Sequence, residues 1–221
     1  MKIKQPAVDY RNLTLKNINS DEYKHLKLLI FWPIYGILFM YAERFYNVSY
    51  YYPVYCPLDD IIPFNEIFLF PYMYWFIYLV GIHFYTLCYD TEAFEKLMKF
   101  IIITYSTAII CYFLFPTCQE LRPARFERDN FLTRFMTAFY CFDTNTNVCP
   151  SIHVIGSLAV LFSSWNTKGL DTPALRTASL IICVLICLST VFLKQHSVID
   201  IVAALPVCII AYIICYKKGT R

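Results

Sequence analysis

The sequence predicts an all-α integral membrane protein, a bundle of six membrane-spanning helices, and three observations carry that prediction. Hydrophobic residues make up 58% of the 221 and charged residues only 16%, too little polar sequence to cover a soluble surface. The charges are also clustered, leaving uncharged stretches between Lys27 and Glu43, Glu66 and Asp90, Lys99 and Glu120, Asp143 and Lys168, Arg176 and Lys194, and Asp200 and Lys217. A helix rising about 1.5 Å per residue needs roughly 20 apolar residues to cross a ~30 Å hydrocarbon core, which is the scale of these stretches. Third, only five glycines interrupt the chain.

Taken in order, residues 1–27 read as a cytoplasmic tail, 28–216 as the six-span domain and 217–221 as a second cytoplasmic tail. The tail lacks the basic, then apolar, then small-residue order of a cleaved signal, so the first span is expected to serve as the insertion signal. The first and last spans are short and draw on neighbours such as Leu26 and Ile199. After the first span, ERFYNVSYYYPVYCPLDDIIPFNE is rich in Tyr and Pro, as an interfacial aromatic belt is. Within it Asn47-Val48-Ser49 matches a glycosylation acceptor, and Asp59 and Asp60 read as surface acids. DTEAFEKLMK (90–99) and NTKGLDTPALR (166–176) read as polar inner turns. The longest polar stretch, 116–150, holds Phe131, Leu132, Phe135, Met136 and Phe139 at helical spacing, which predicts a short helix on the membrane surface. His83 reads as a packing residue and His25 as an interfacial tail residue.

Charge sets the expected orientation. With the N-terminus inside, thirteen of the 19 Lys and Arg residues fall on the inner side, as short cytoplasmic segments require. Both termini are then cytoplasmic, and the net charge of +3 is a matter of orientation, with no basic stripe to suggest nucleic acid. Of ten cysteines, Cys88, Cys111, Cys183, Cys187, Cys208 and Cys215 fall in apolar spans as small buried hydrophobes. Cys56, Cys118, Cys141 and Cys149 lie in outer segments, where an oxidising environment allows three pairings.

Three clusters converge on the outer face: LRP at 121–123, CPSIHV at 149–154 and KQHSVID at 194–200. Ionisable groups at membrane depth are costly and point to function. Pro150 suits the first turn of a helix, and the amides that follow, near Ser151 and Ile152, form an anion site backed by the helix dipole. Ser151 adds a hydroxyl donor, and His153 lies within proton-transfer reach. His196 and Asp200, four apart, share a helical face. A carboxylate on one imidazole nitrogen leaves the other bare for attack or proton uptake. Arg122 offers a planar fork for phosphate oxygens and Lys194 a point charge.

These residues resemble the type 2 phosphatidic acid phosphatase (PAP2) superfamily of lipid phosphatases and phosphotransferases, with signatures Lys-x6-Arg-Pro, Pro-Ser-Gly-His and Ser-Arg-x5-His-x3-Asp. Arg122-Pro123 matches the end of the first, Pro150-Ser151-x-His153 the second, and Ser189, His196 and Asp200 the third. The resemblance covers the last half of the chain, with a catalytic part at about 100–216. Phe115 stands where the first signature has Lys, Ile152 where the second has Gly and Thr190 where the third has Arg. CPSIHV and STVFLKQH are similar to the branch that includes inositol phosphorylceramide synthases, which transfer a headgroup.

What the resemblance implies is a membrane-embedded enzyme acting on a lipid phosphate at the extracytoplasmic side. His196 would attack phosphorus, Asp200 would steady the imidazolium, and His153 would protonate the leaving alcohol and then activate water or a second alcohol. Arg122, Lys194, Ser151 and the Ile152 amide would hold the phosphate oxygens, with no metal or other cofactor. Two other readings stay open: His153, His196 and Asp200 as zinc ligands of an intramembrane hydrolase, or a scaffold or transporter that has lost activity. The partners expected are the lipid substrate and the bilayer; the sequence does not set the oligomeric state.

Overall fold

The computed structural model describes residues 5–217. Lys2, Lys4, Lys218 and Arg221, used in the charge count, lie outside the described residues, as does all of the second tail but Lys217. The chain is predominantly helical. A 3-10 segment (Lys24–Ile30) runs into α1 (Phe31–Arg44), and α2 (Leu58–Ile61) is a single turn in the following loop. Next come α3 (Leu69–Tyr89), α4 (Thr91–Leu114), α5 (Phe131–Phe142), α6 (Ile152–Asn166), α7 (Pro173–Phe192) and α8 (Val198–Tyr212), the last continued by a π turn (Ile213–Lys217). Two short parallel strands, β1 (Tyr52–Pro53) and β2 (Thr117–Cys118), pair the loop after α1 with the segment after α4.

Five helical segments among the described residues are long and apolar enough to cross a membrane: Lys24–Arg44, Glu66–Tyr89, Thr91–Leu114, Pro173–Phe192 and Val198–Lys217. Their outward faces carry exposed apolar side chains, such as Ile37 on α1, Phe76, Val80 and Phe84 on α3, and Val202, Ile209 and Ile210 on α8. Exposed side chains of this kind suit contact with lipid tails, while the helical backbone satisfies its own polar groups.

The fourth expected span departs from this pattern. Where the sequence shows an uncharged run from Asp143 to Lys168, the helix is only the 15 residues of α6. The reason is its place in the bundle. α6 is surrounded by α3, α4, α7 and α8 and most of its residues are buried, so its length is not dictated by the bilayer. Non-helical backbone at depth is tolerated when protein supplies the hydrogen bonds, and the segment before α6 is paired in this way. Gln119 N–H donates to Asn145 O (3.0 Å), Asn147 N–H to Thr117 O (2.6 Å) and Cys149 N–H to Thr117 Oγ1 (3.1 Å).

Other expectations shift for local reasons. The inner turn expected over 90–99 shrinks to Asp90, whose side chain accepts from Ala93 N–H and caps α4, so EAFEKLMK is already helix. The short helix expected from the Phe131 periodicity is α5, with Asn130 and Thr133 forming a reciprocal cap. Its buried Met136 packs with Leu69, Tyr72 and Leu193. His25 is buried, its Nε2 2.7 Å from Tyr10 Oη. His83 does pack within the bundle, its Nδ1 2.7 Å from Leu79 O and its ring edge-on to Trp32. All ten cysteines are free.

Candidate active site

The turn between α7 and α8 delivers the first histidine. α7 ends at Phe192, and Lys194 adopts a left-handed backbone (φ 54°) just beyond it. Lys194 N–H donates to Val191 O (3.1 Å) and Gln195 N–H to Thr190 O (2.9 Å), the paired bonds of a Schellman ending. The chain therefore reverses sharply, and α8 starts with Ser197 as its cap and Asp200 completing a reciprocal capping box. Asp200 has a double role, because the oxygen that accepts Ser197 N–H (3.0 Å) also lies 3.0 Å from His196 Nδ1. This geometry holds the proton on Nδ1 and leaves Nε2 bare.

The second histidine comes from the first turn of α6. Ser151 is the N-cap, so Pro150 lies before the helix and not in its first turn, joined to Cys149 by a cis peptide bond. The Ser151 amide is not open as an anion donor, since it donates to Asp200 O (3.2 Å) and ties the start of α6 to that of α8. The Ser151 hydroxyl is buried without a hydrogen-bond partner. His153 packs against Tyr72 and Trp75 of α3 in tilted ring contacts, with centroids 4.3 and 4.6 Å away. Its ring centroid lies 5.7 Å from that of His196. Both rings, with Ile152, line one cavity of about 30 Å³, closed by Glu43, Tyr72, Tyr112, Asp143, Asn147 and Gln195.

Close packing fixes the His153 side of the site. A Cβ on Gly156 would fall 2.7 Å from Trp75 Nε1 and 2.8 Å from Tyr105 Oη, both on buried side chains, so one of them would have to shift. Gly156→Ala is therefore expected to destabilise the protein by about 1–3 kcal/mol, the usual range for overpacking. It should also press Trp75 toward His153. Thermal unfolding in detergent micelles should show the loss, and a variant as stable as the parent would show that the α3–α6 contact relaxes freely.

Arg122 reaches the site at one remove. Its Nη1 donates to Tyr140 O (2.9 Å), its Nη2 to Asp143 O and Gln195 Oε1 (both 2.6 Å), and its guanidinium carbon lies 4.3 Å from the Tyr140 ring centroid. It caps the C-terminal carbonyls of α5 and holds Gln195, the neighbour of His196. Burial lowers the pKa of the guanidinium, opposed by the nearby Asp143 carboxylate. Gln195 Nε2 and Tyr72 Oη both donate to Asp143 Oδ2 (2.8 and 2.7 Å), closing a polar chain from Arg122 to the ring beside His153.

Lys194 points elsewhere. Its Nζ donates to the carbonyls of Asp59 (2.6 Å) and Ile62 in the loop around α2. Burial pulls its pKa down, opposed by the carboxylates of Asp59 and Asp60. Asp59, read from the sequence as a surface acid, is only 2% exposed. The reason is local: its carboxylate accepts from Ser197 Oγ (2.6 Å) and Val198 N–H (2.9 Å) and is sealed beneath the start of α8.

The structure thus gathers Ser151, Ile152, His153, His196 and Asp200 at one place, puts Arg122 behind Gln195 and turns Lys194 toward α2. Sequence reasoning passed over Tyr72, Trp75, Asp143, Gln195 and Asp59. Gln195 alone carried a signal, its place inside KQHSVID; the two aromatic residues were lost among 19 Tyr, 19 Phe and three Trp. Cys149 lies beside Asp200, and burial, with Asp200 adding to it, pushes its thiol up to about 12. Among the described residues no three His, Cys, Asp or Glu side chains are arranged to hold a metal ion.

The model of the PAP2 superfamily matches residues 96–221. No curated protein and no solved structure matches the chain. The matched part is more than half of the chain and contains both histidines, Asp200 and Arg122. The chain belongs to the PAP2 superfamily, whose members are phosphatases and phosphotransferases.

Proposed function

We propose that this protein is a membrane-embedded lipid phosphatase that hydrolyses a phosphate monoester or pyrophosphate through a phosphohistidine. The observation that carries the reading is the pair of rings at 5.7 Å, with His196 Nδ1 held by Asp200. One phosphoryl group can meet both rings at that spacing, since attack needs reacting atoms about 3–3.5 Å apart.

His196 Nε2 attacks phosphorus, and the bond from phosphorus to the lipid oxygen breaks as the leaving alkoxide takes a proton from His153. Asp200 stabilises the positive charge on the substituted His196 ring. His153, now neutral, takes a proton from water as that water attacks phosphorus. The P–N bond breaks, inorganic phosphate leaves, and both histidines return to their starting states. The Ser151 hydroxyl and the Ile152 amide are assigned to the developing charge on the phosphoryl oxygens, and the Arg122 guanidinium, held by Tyr140, Asp143 and Gln195, adds positive charge from behind Gln195. We place the site at the outer face, with both termini cytoplasmic, α6 as the fourth of six crossings and 28–216 as one domain whose catalytic part begins near residue 100. Acyl chains stay in the bilayer while the headgroup enters from water.

A second reading, transfer of the headgroup to another alcohol, is supported by the similarity of CPSIHV and STVFLKQH to the headgroup-transferring branch, and the two family cation positions do not separate it from hydrolysis. Phe115 is 64% exposed at the end of α4, and Thr190 is fully buried with its hydroxyl donating to Cys187 O (2.8 Å), so neither position supplies a charge. Purified protein incubated with a panel of phospholipids and lipid phosphates tests both. Free inorganic phosphate together with the dephosphorylated lipid, and no new headgroup lipid, is the expected result. A new headgroup product without phosphate release would make the enzyme a transferase, and neither product from any member of the panel would remove the lipid reading.

A further inference from the structure

The loop between α1 and α3 lies outside the part of the chain matched to the family, yet it reaches the candidate nucleophile through Asp59. Three donors converge on that carboxylate: Cys56 N–H (2.8 Å) and Ser197 Oγ–H (2.6 Å) on Oδ2, and Val198 N–H (2.9 Å) on Oδ1. The Val198 amide is one of the unpaired donors at the start of α8, where a carboxylate is also favoured by the helix dipole. The Asp59 and Ile62 carbonyls hold the Lys194 ammonium, so the same short loop grips the turn before His196 and the helix after it. Ser197 is the link. Its hydroxyl is held by Asp59, and its amide donates to the Asp200 oxygen that meets His196 Nδ1.

We propose that Asp59 is a positioning residue for His196, acting through Ser197 and Asp200, and that Lys194 is the second arm of this clamp and not a phosphate ligand. The proposal rests on the reading of His196 as the attacking group. Its chemistry requires a carboxylate: an amide offers one acceptor oxygen to three donors and sets its own N–H groups against either Val198 N–H or the Cys56 and Ser197 donors. With Ser197 released, Asp200 loses a fixed orientation, and the imidazole loses its enforced tautomer.

Asp59→Asn is the test, read in two ways. On the lipid phosphate turned over by the parent, kcat should fall about 10–100-fold with KM little changed, the scale seen when an outer partner of a functional ligand is removed. Independently of any substrate, 15N spectra of the imidazoles of the full chain in micelles should show His196 as a single Nδ1–H tautomer in the parent and a mixture in the variant. With four histidines in the chain, His196→Gln assigns the signal. Ser197→Ala, which removes the hydroxyl arm to Asp59 and with it the side-chain cap on Ile199 N–H while keeping the amide bond to Asp200, should shift the tautomer in the same direction and keeps the test open if Asp59→Asn does not fold. Lys194→Met should lower kcat while leaving inhibition by inorganic phosphate as in the parent. An unchanged His196 tautomer in both Asp59→Asn and Ser197→Ala would overturn the proposal, and so would a tenfold weaker phosphate inhibition in Lys194→Met. A shifted tautomer in a protein that turns over no lipid phosphate would leave the clamp standing and remove the functional reading.

Discussion

His196→Ala is expected to abolish turnover, lowering kcat by about 10⁴-fold or more, because no other imidazole in the cavity has one nitrogen held by a carboxylate and the other left bare for attack. The fold should survive. The imidazole makes one side-chain hydrogen bond, to Asp200, and that carboxylate keeps its bond from Ser197 N–H, so the capping box at the start of α8 persists. The stability lost should be about 1–3 kcal/mol, the usual penalty for a buried acceptor that loses a partner. The measurement is a pair: thermal unfolding in micelles, and trapping of a phosphoenzyme that resists alkali and is cleaved by acid, as a phosphohistidine is. The parent should trap label and the variant none. A folded alanine variant that keeps turnover within tenfold of the parent would remove His196 as nucleophile.

How much of this was legible beforehand follows from the range over which each feature is determined. The long helices are set locally, by runs of apolar residues that must bury or face lipid, and these were readable. The pairing of His196 with Asp200 was readable as a short-range contact, but not its form: His196 lies before α8, so the expected shared helical face is replaced by the capping-box oxygen of Asp200. The length of α6 was not readable, because an uncharged run looks alike whether it lies against lipid or inside a ring of other helices. Asp59 shows the same limit. Its burial depends on Ser197 and Val198, more than a hundred positions away, and a pair of adjacent acids beside Tyr and Pro looks like surface. Lys194 was read as a charge near phosphate because it adjoins His196 in sequence. Its left-handed backbone, demanded by the Schellman ending, turns the side chain toward α2 instead.

Arg122 brings the two kinds of determination together and supports the second large effect. Arg122→Ala should lower kcat/KM by about 100-fold or more, the scale of removing one donor to a charged transition state. The structure adds that Arg122→Lys should be nearly as damaging. The guanidinium satisfies Tyr140 O, Asp143 O and Gln195 Oε1 at once while lying over the Tyr140 ring, and its Nε is buried with no partner of its own. An ammonium cannot span those three acceptors or stack in the same way. Steady-state kinetics and thermal unfolding of both variants separate the two contributions. If Arg122 acts on the phosphoryl oxygens, the rate falls in both variants by far more than any loss of stability accounts for, and inhibition by inorganic phosphate weakens with it. Should both variants turn over within a few-fold of the parent, Arg122 would be confined to closing the end of α5, and the charge on phosphorus would have to be met by the amides of α6 and the two imidazoles.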